Sequence, residues 1–262
     1  MNGYSHLGRA AGPEKRPDIG ATVFDRVEEV KLIRDRLAQR NPFLLHGPAG
    51  VGKTLLLNTV LPGFQDILYS GSNATPQALY RTLGELLLST AHPVLTSACP
   101  NGAASLQAKS AVSLKGLLRQ ALLDSKYLVV MDHLMRPSTA LAASIREMML
   151  NWSVPVVGVT RSAHMEDAGF VLPLFADRRD KLSLRNFDPD VATEFAATCA
   201  QKDGLQADNL TQFLEKVVEY SAGNPGAILS MLHLAQEPRY LHENQIKITP
   251  LYIDYKIAMV SQ

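Results

Sequence analysis

The chain is poor in cysteine and tryptophan and has almost no excess of either charge. Its 262 residues include two cysteines, Cys99 and Cys199. They lack metal-ligand spacing, so neither a disulfide framework nor a thiolate metal centre is expected. Two reduced, partly buried thiols in a cytoplasmic protein are expected instead. The formal net charge is +1, which excludes a broad electrostatic pull toward nucleic acid or an acidic partner but leaves room for a local basic patch. No apolar run approaches the roughly 18 residues of a membrane span, and no signal-peptide apolar region is seen. No membrane partner is therefore expected. Seven histidines are scattered without a partner pattern, and Ser70 and Ser162 sit in no nucleophile elbow. Hydrophobic residues make up 46%, enough for a sizeable core and too many for global disorder.

Against that background one segment stands out. Residues 47–54 read Gly-Pro-Ala-Gly-Val-Gly-Lys-Thr and satisfy every fixed position of the phosphate-binding loop Gly-x-x-x-x-Gly-Lys-Ser/Thr. Glycines at 47, 50 and 52 let the backbone curl so that N–H groups point inward at phosphate oxygens. Lys53 adds a point charge for the β- and γ-phosphates, and the Thr54 hydroxyl is a ligand for Mg²⁺. Phe43, Leu44 and Leu45 precede the loop as a buried strand would. Leu55, Leu56, Leu57 and Val60 follow it on a helix whose N-terminal dipole favours phosphate.

The rest of the chain divides in two. Residues 1–20, rich in Gly, Pro and charge, read as a flexible arm. Asp25 and Glu28 have the spacing of a capping box ahead of a helix carrying Val30, Ile33 and Leu37. Further strands are expected at 67–69, 127–131, 154–159 and 181–184, with helices at about 76–89, 113–123 and 138–150. Residues 91–112, polar and small with Pro93, Pro100 and Gly102, read as an inserted loop. Alternating apolar strands and helices imply α/β architecture, a three-layer sandwich with a parallel sheet. Asp188-Pro189 is a helix start, and the pattern from there to about 237 is helical. Leu210, Phe213, Leu214, Val217 and Val218 form its clearest stripe, with Gly223 placed to stop that helix. This predicts an α/β nucleotide-binding domain over 21–187 and a small all-helical lid with a C-terminal segment over 188–262. Within the latter, a short strand at 245–248 and a helix capped by Thr249 with Pro250 first are expected.

Asp132 ends the strand 127–131 at the sheet edge where ligands bind in open α/β sheets. It is the candidate carboxylate for Mg²⁺ beside Thr54. His133 comes next, where an acid would orient an attacking water. A neutral imidazole could hold that water, or it could have no catalytic role and leave hydrolysis slow. Arg161, at the end of the fourth strand, could report a γ-phosphate or be a solvated strand end. Arg178-Arg179 could supply an arginine, Arg179 being the candidate, to a neighbouring subunit's nucleotide, or be a solvated turn.

The arrangement resembles the AAA+ superfamily, within it the initiator, transposon-ATPase and STAND-like clade. Four segments carry the resemblance: Val23-Phe24-Asp25-Arg26-Val27-Glu28-Glu29, the phosphate loop, Val159-Thr160-Arg161-Ser162, and Ser221-Ala222-Gly223-Asn224-Pro225-Gly226. The resemblance implies ATP and Mg²⁺ as cofactors. It assigns nucleotide contacts to Val23, Phe24, Arg26, Gly47, Pro48, Ala49, Gly50, Val51, Gly52, Lys53, Thr54, Leu55 and Pro225. Lys53, Asp132, His133, Arg161 and Arg179 are the candidate catalytic residues, and Thr54 and Asp132 the candidate metal ligands. Three residues depart from the pattern. Asp25 stands where the family has Gly, His133 replaces the hydrolytic acid, and Gly226 stands where relatives often carry a lid arginine.

Two functions are expected from this: an ATP-driven switch or assembly factor acting with a homo-oligomer, a partner protein or DNA, or a nucleotide-binding interaction module with little hydrolysis. Small-molecule kinase activity is a further alternative, although the lid reading leaves no obvious acceptor pocket.

Overall fold

The computed structural model describes residues 23–71 and 73–260, so the arm expected over 1–20 lies outside them. Helix α1 (Val27–Ala38) leads to strand β1 (Phe43–His46) and helix α2 (Lys53–Val60). Then come β2 (Ile67–Ser70), α3 (Pro76–Ser89), α4 (Pro93–Ala98), α5 (Ala103–Gln107) and α6 (Ala111–Leu122). Next are β3 (Leu128–Met131), α7 (Thr139–Asn151), β4 (Val156–Thr160), α8 (Met165–Ala168) and β5 (Lys181–Ser183). The strands form one parallel sheet in the order β2-β3-β4-β1-β5.

Alternation along each strand makes the layers, because successive side chains point to opposite faces. On one face Leu44, Leu68, Val129, Met131 and Val156 join the buried residues of α3, α6 and α7. On the other, Phe43, Leu45, Leu128, Val130, Val157 and Val159 pack with Ile33 and Leu37 of α1 and with Leu56, Leu57 and Val60 of α2. Both faces are covered, which explains why the strands read as continuous apolar runs. Each fully buried Leu or Val contributes about 1.5–3 kcal/mol.

Beyond the sheet lies a separate apolar cluster. It draws on α9 (Pro189–Lys202), α10 (Leu210–Ser221), α11 (Pro225–Ala235) and α12 (Ile248–Val260). Leu184 belongs to the sheet core, whereas Phe187 packs on the helical cluster. Pro189 is the first residue of α9, and the stripe read from 210 onward is α10, with Phe213 and Val217 fully inside.

Four local expectations are corrected. Asp25 does not cap α1. The flanking residue is Arg26, and Asp25 sits at φ 46°, outside the geometry of a capping residue. Residues 91–112 are not a loop: they contain α4 and α5, and Leu95, Leu106 and the intervening Cys99 are buried against the α3–α6 layer. The strand expected at 245–248 is shorter and is not alone. Strands β6 (Leu241–His242) and β7 (Gln245–Ile246) form an antiparallel hairpin whose turn, Glu243-Asn244, has positive φ at both residues. That is the backbone a two-residue hairpin requires. Finally, α12 begins at Ile248, so Thr249 lies inside the helix rather than capping it.

Candidate functional site

The C-terminal ends of β1, β3 and β4 meet the start of the helical part in a cleft of about 450 Å³. The phosphate loop forms its floor. Gly50 and Gly52 have φ of 77° and 101°, a conformation that glycine adopts without cost. Gly47 is required for another reason: a Cβ there would collide with the Leu184 carbonyl oxygen on the neighbouring strand's exit.

Loop and sheet edge converge on one carboxylate. Asp132 is buried, 2% exposed. Its Oδ2 accepts from the Thr54 hydroxyl at 2.8 Å and from the Tyr69 hydroxyl at 2.7 Å. Its Oδ1 accepts from the His133 backbone N–H at 2.8 Å. A hydroxyl and a carboxylate are hard oxygen donors of the kind Mg²⁺ takes one or two of, keeping water and phosphate for the rest. Among the described residues no cluster of three His, Cys, Asp or Glu side chains could hold a metal by itself. The donor set therefore fits Mg²⁺ and does not fit a site built wholly from protein ligands such as zinc.

The Lys53 ammonium donates to the carbonyls of Gly47, at 2.6 Å, and Pro48, at 2.8 Å. Burial pulls its pKa below the ordinary lysine value. Asp132 opposes that pull, and Arg161 adds to it. Two cations beside a partly buried loop make a local positive field suited to an anion. His46, at the end of β1, is held below its ordinary value by burial and then by His164, Lys181 and Lys53.

His133 has φ 54° and its ring stays largely in solvent, with Nε2 3.6 Å from Asp132 Oδ2. The imidazole thus stands in the cleft wall next to the carboxylate. Arg161 is exposed on the cleft wall. Arg178 and Arg179 lie before β5, at the opposite end of the sheet from the cleft, so neither lines it. Arg179 is tied to Asp177, with its nearest guanidinium nitrogen at 2.8 Å, and this pair holds the Asp177 carboxyl down at about 2. Arg178 is exposed and makes no side-chain hydrogen bond or ion pair among the described residues.

The far end of the cleft is apolar. Val23, Phe24, Phe187, Phe195, Pro225 and Leu229 line it. The three phenylalanines pack edge-on or tilted, with centroids 5.3–6.0 Å apart. Arg26 is 8% exposed. It pairs with Glu29 at 2.9 Å and lies 4.6 Å over the Phe187 ring. Of the sequence candidates, Val23, Phe24, Arg26, Ala49 through Leu55, Asp132, His133, Arg161 and Pro225 line this one cleft. Gly47 and Pro48 support it from behind, and Arg179 stands apart. Sequence reasoning missed Tyr69, Met135, Phe187, Phe195 and Leu229. Phe187, directly before the Asp188-Pro189 helix start, carried a usable signal, because a large apolar residue ahead of a helix packs back on that helix.

No family model and no curated protein sequence matches the chain. Solved structures do. A Walker-type ATPase of Pyrococcus abyssi superposes with a TM-score of 0.61 at 16% identity, covering 96% of this chain and 77% of that one. The Aeropyrum pernix Orc1 protein, solved in complex with DNA, gives 0.61 at 17% identity, covering 91% and 66%. A Pyrococcus horikoshii STAND protein with a tetratricopeptide-repeat sensor gives 0.54 at 15%, covering 92% of this chain and 33% of that one. The chain therefore spans about two thirds of the Orc1 protein and one third of the STAND protein. At these identities the likeness shows the fold alone, and that fold is the P-loop NTPase sandwich of a parallel sheet between helices. Among the described residues no helix is long and apolar enough to cross a membrane.

Proposed function

We propose that this AAA+ fold binds ATP with Mg²⁺ in the cleft and works as a nucleotide-dependent switch or assembly factor. The observation that carries the reading is the 2.8 Å bond from Thr54 to Asp132. It joins the last residue of the phosphate loop to a carboxylate from β3, two strands away in the sheet. In this reading the phosphates lie along residues 49–54 and the base lies among Phe24, Phe187, Phe195 and Pro225. The α/β part, ending near 187, and the helical part then act as base and lid. Mg²⁺, when bound, neutralises phosphate charge beside Thr54 and Asp132. Lys53 turns from its own loop carbonyls toward the β- and γ-phosphates, and Arg161 reports the γ-phosphate from the sheet side.

Hydrolysis is slow in this account. His133 is a poor substitute for an acid, since its largely solvent-facing imidazole brings no fixed negative charge with which to orient a water. The same facts favour a second reading, an interaction module held in one nucleotide state. A homo-oligomer or partner protein in the cytoplasm, with DNA as a further candidate partner, fits either version. For a role in a neighbour's site Arg179 has to leave Asp177, whereas Arg178 is already free to reach out.

Steady-state ATPase of the purified chain, with and without duplex DNA, against Lys53→Ala separates the readings. Turnover above that of Lys53→Ala supports the switch. Turnover equal to it under every condition sinks hydrolysis and leaves the interaction module.

A further inference from the structure

The helical part meets the phosphate loop through contacts that involve no charged group. The Gly226 backbone N–H donates to the Gly50 carbonyl at 2.9 Å. The Asn224 side-chain amide donates to the Ala49 carbonyl at 2.9 Å and to Asn186 Oδ1 at 3.1 Å. Asn224 Oδ1 accepts from the Ala227 N–H at 3.1 Å. One amide group therefore caps α11 and reaches the loop. The connecting segment is bound to the same turn: Asn186 donates to the Ala222 carbonyl at 3.1 Å, and the Phe187 N–H to the Gly223 carbonyl at 2.9 Å.

The approach leaves no room for side chains. A Cβ on Gly226 would lie 2.8 Å from Gly50 Cα, and a Cβ on Gly50 would lie 2.7 Å from Asn224 Oδ1. An arginine at 226 has no place in this arrangement. What the contact does control is the loop backbone. Each carbonyl is rigidly paired with the N–H of the next residue in one planar peptide. Bonds to the Ala49 and Gly50 carbonyls therefore fix the two peptide planes that carry the Gly50 and Val51 amides.

We propose that this is a latch. The docked lid and the loop conformation that accepts phosphates are one state, and Asn224 is the positioning residue that holds it. The proposal rests on the nucleotide reading above and extends it in one direction. The latch touches the loop and not the γ-phosphate, so ADP and ATP both lock the lid. The difference between them is left to Arg161 on the sheet side. Linkage makes the coupling reciprocal: whatever loosens the lid weakens nucleotide binding, and nucleotide tightens the lid.

Asn224→Asp breaks the latch and keeps the cap, because aspartate caps a helix as well as asparagine but cannot donate to the Ala49 carbonyl or to Asn186 Oδ1. Hydrogen exchange of the full chain is measured without nucleotide, with ADP, and with a slowly hydrolysed ATP analogue, all with Mg²⁺. In the wild type, ADP and the analogue should slow exchange in α11 and residues 186–188 to the same extent. In Asn224→Asp, exchange there should rise about three- to tenfold without nucleotide, and affinity for ADP and for the analogue should fall by equal factors in that range. Gly226→Ala, which crowds the loop but keeps the cap, should give the same pattern. Wild-type exchange in both variants overturns the latch. Protection of the lid by the analogue alone overturns its indifference to the γ-phosphate. If the wild type binds no nucleotide, the nucleotide-free arm still decides the latch, and only the nucleotide reading fails.

Discussion

At its phosphate end the cleft is built from side chains of fixed chemical type, Lys53, Thr54 and Asp132, delivered beyond the ends of β1 and β3. At its lid end it is built from backbone atoms, one amide and a cluster of rings: Gly226 on Gly50, Asn224 on Ala49, and Phe24, Phe187 and Phe195 together. The first end depends on what each residue can donate or charge. The second depends on how closely the chain can approach itself. A substitution at the phosphate end should therefore change the chemistry of binding and leave the fold in place. One at the lid end should change geometry, and with it both stability and binding.

The sharpest break comes at Asp132. Asp132→Asn keeps the shape but removes the charge beside Thr54, and the benefit of Mg²⁺ to nucleotide binding should fall by about 2–3 kcal/mol with little loss of Mg²⁺-free binding. Titrating nucleotide with and without Mg²⁺ checks this, and an undiminished Mg²⁺ effect would show that Asp132 is not at the metal. At the lid end, Phe24→Ala should lower stability by about 1–3 kcal/mol, since it is half-buried and touches two other rings. It should weaken adenosine nucleotides more than inorganic triphosphate. Equal weakening of both would remove the base from the aromatic end.

A smaller effect is expected at Tyr69, whose hydroxyl shares Asp132 Oδ2 with Thr54. Tyr69→Phe removes one donor and should shift Mg²⁺ dependence by about 0.5–1.5 kcal/mol, with Mg²⁺-free affinity unchanged. A mainly structural tyrosine would instead lower the melting temperature and leave the Mg²⁺ titration alone. The weakest handle is pH. The folded pKa of His46 is depressed, so the unfolded chain binds more protons in the interval below the ordinary value of 6.5. Stability is then fully present above that value and is lost as pH falls through the folded pKa. His46→Gln should flatten this part of the stability profile, and an unchanged acid slope would assign it to other groups.

The same contrast explains what could be read from the sequence. The sheet was legible because strands buried on both faces leave apolar runs, and the phosphate loop because its backbone shape demands glycines and its chemistry a lysine and a hydroxyl. Asp132 was legible from its place after such a run. Helices α4 and α5 were not, because short helices with one or two buried residues each leave no periodic stripe, and Pro93 and Gly102 looked like loop punctuation. Asp25 was misread as a cap. Its φ of 46° puts it in the left-handed region, a conformation aspartate tolerates better than most residues. The lid contacts were hidden for a deeper reason. Gly226 looked like a missing arginine, yet its function here is to be small, and only the position of Gly50 opposite it makes that visible.

The account stands or falls on nucleotide in the cleft. Equilibrium titration of a fluorescent ATP analogue into the purified chain, with and without Mg²⁺, against Lys53→Ala, tests it directly. The account predicts saturable binding that Mg²⁺ strengthens and that Lys53→Ala weakens by about thirtyfold or more. No saturable binding by the wild-type chain, or equal binding by Lys53→Ala, would contradict it.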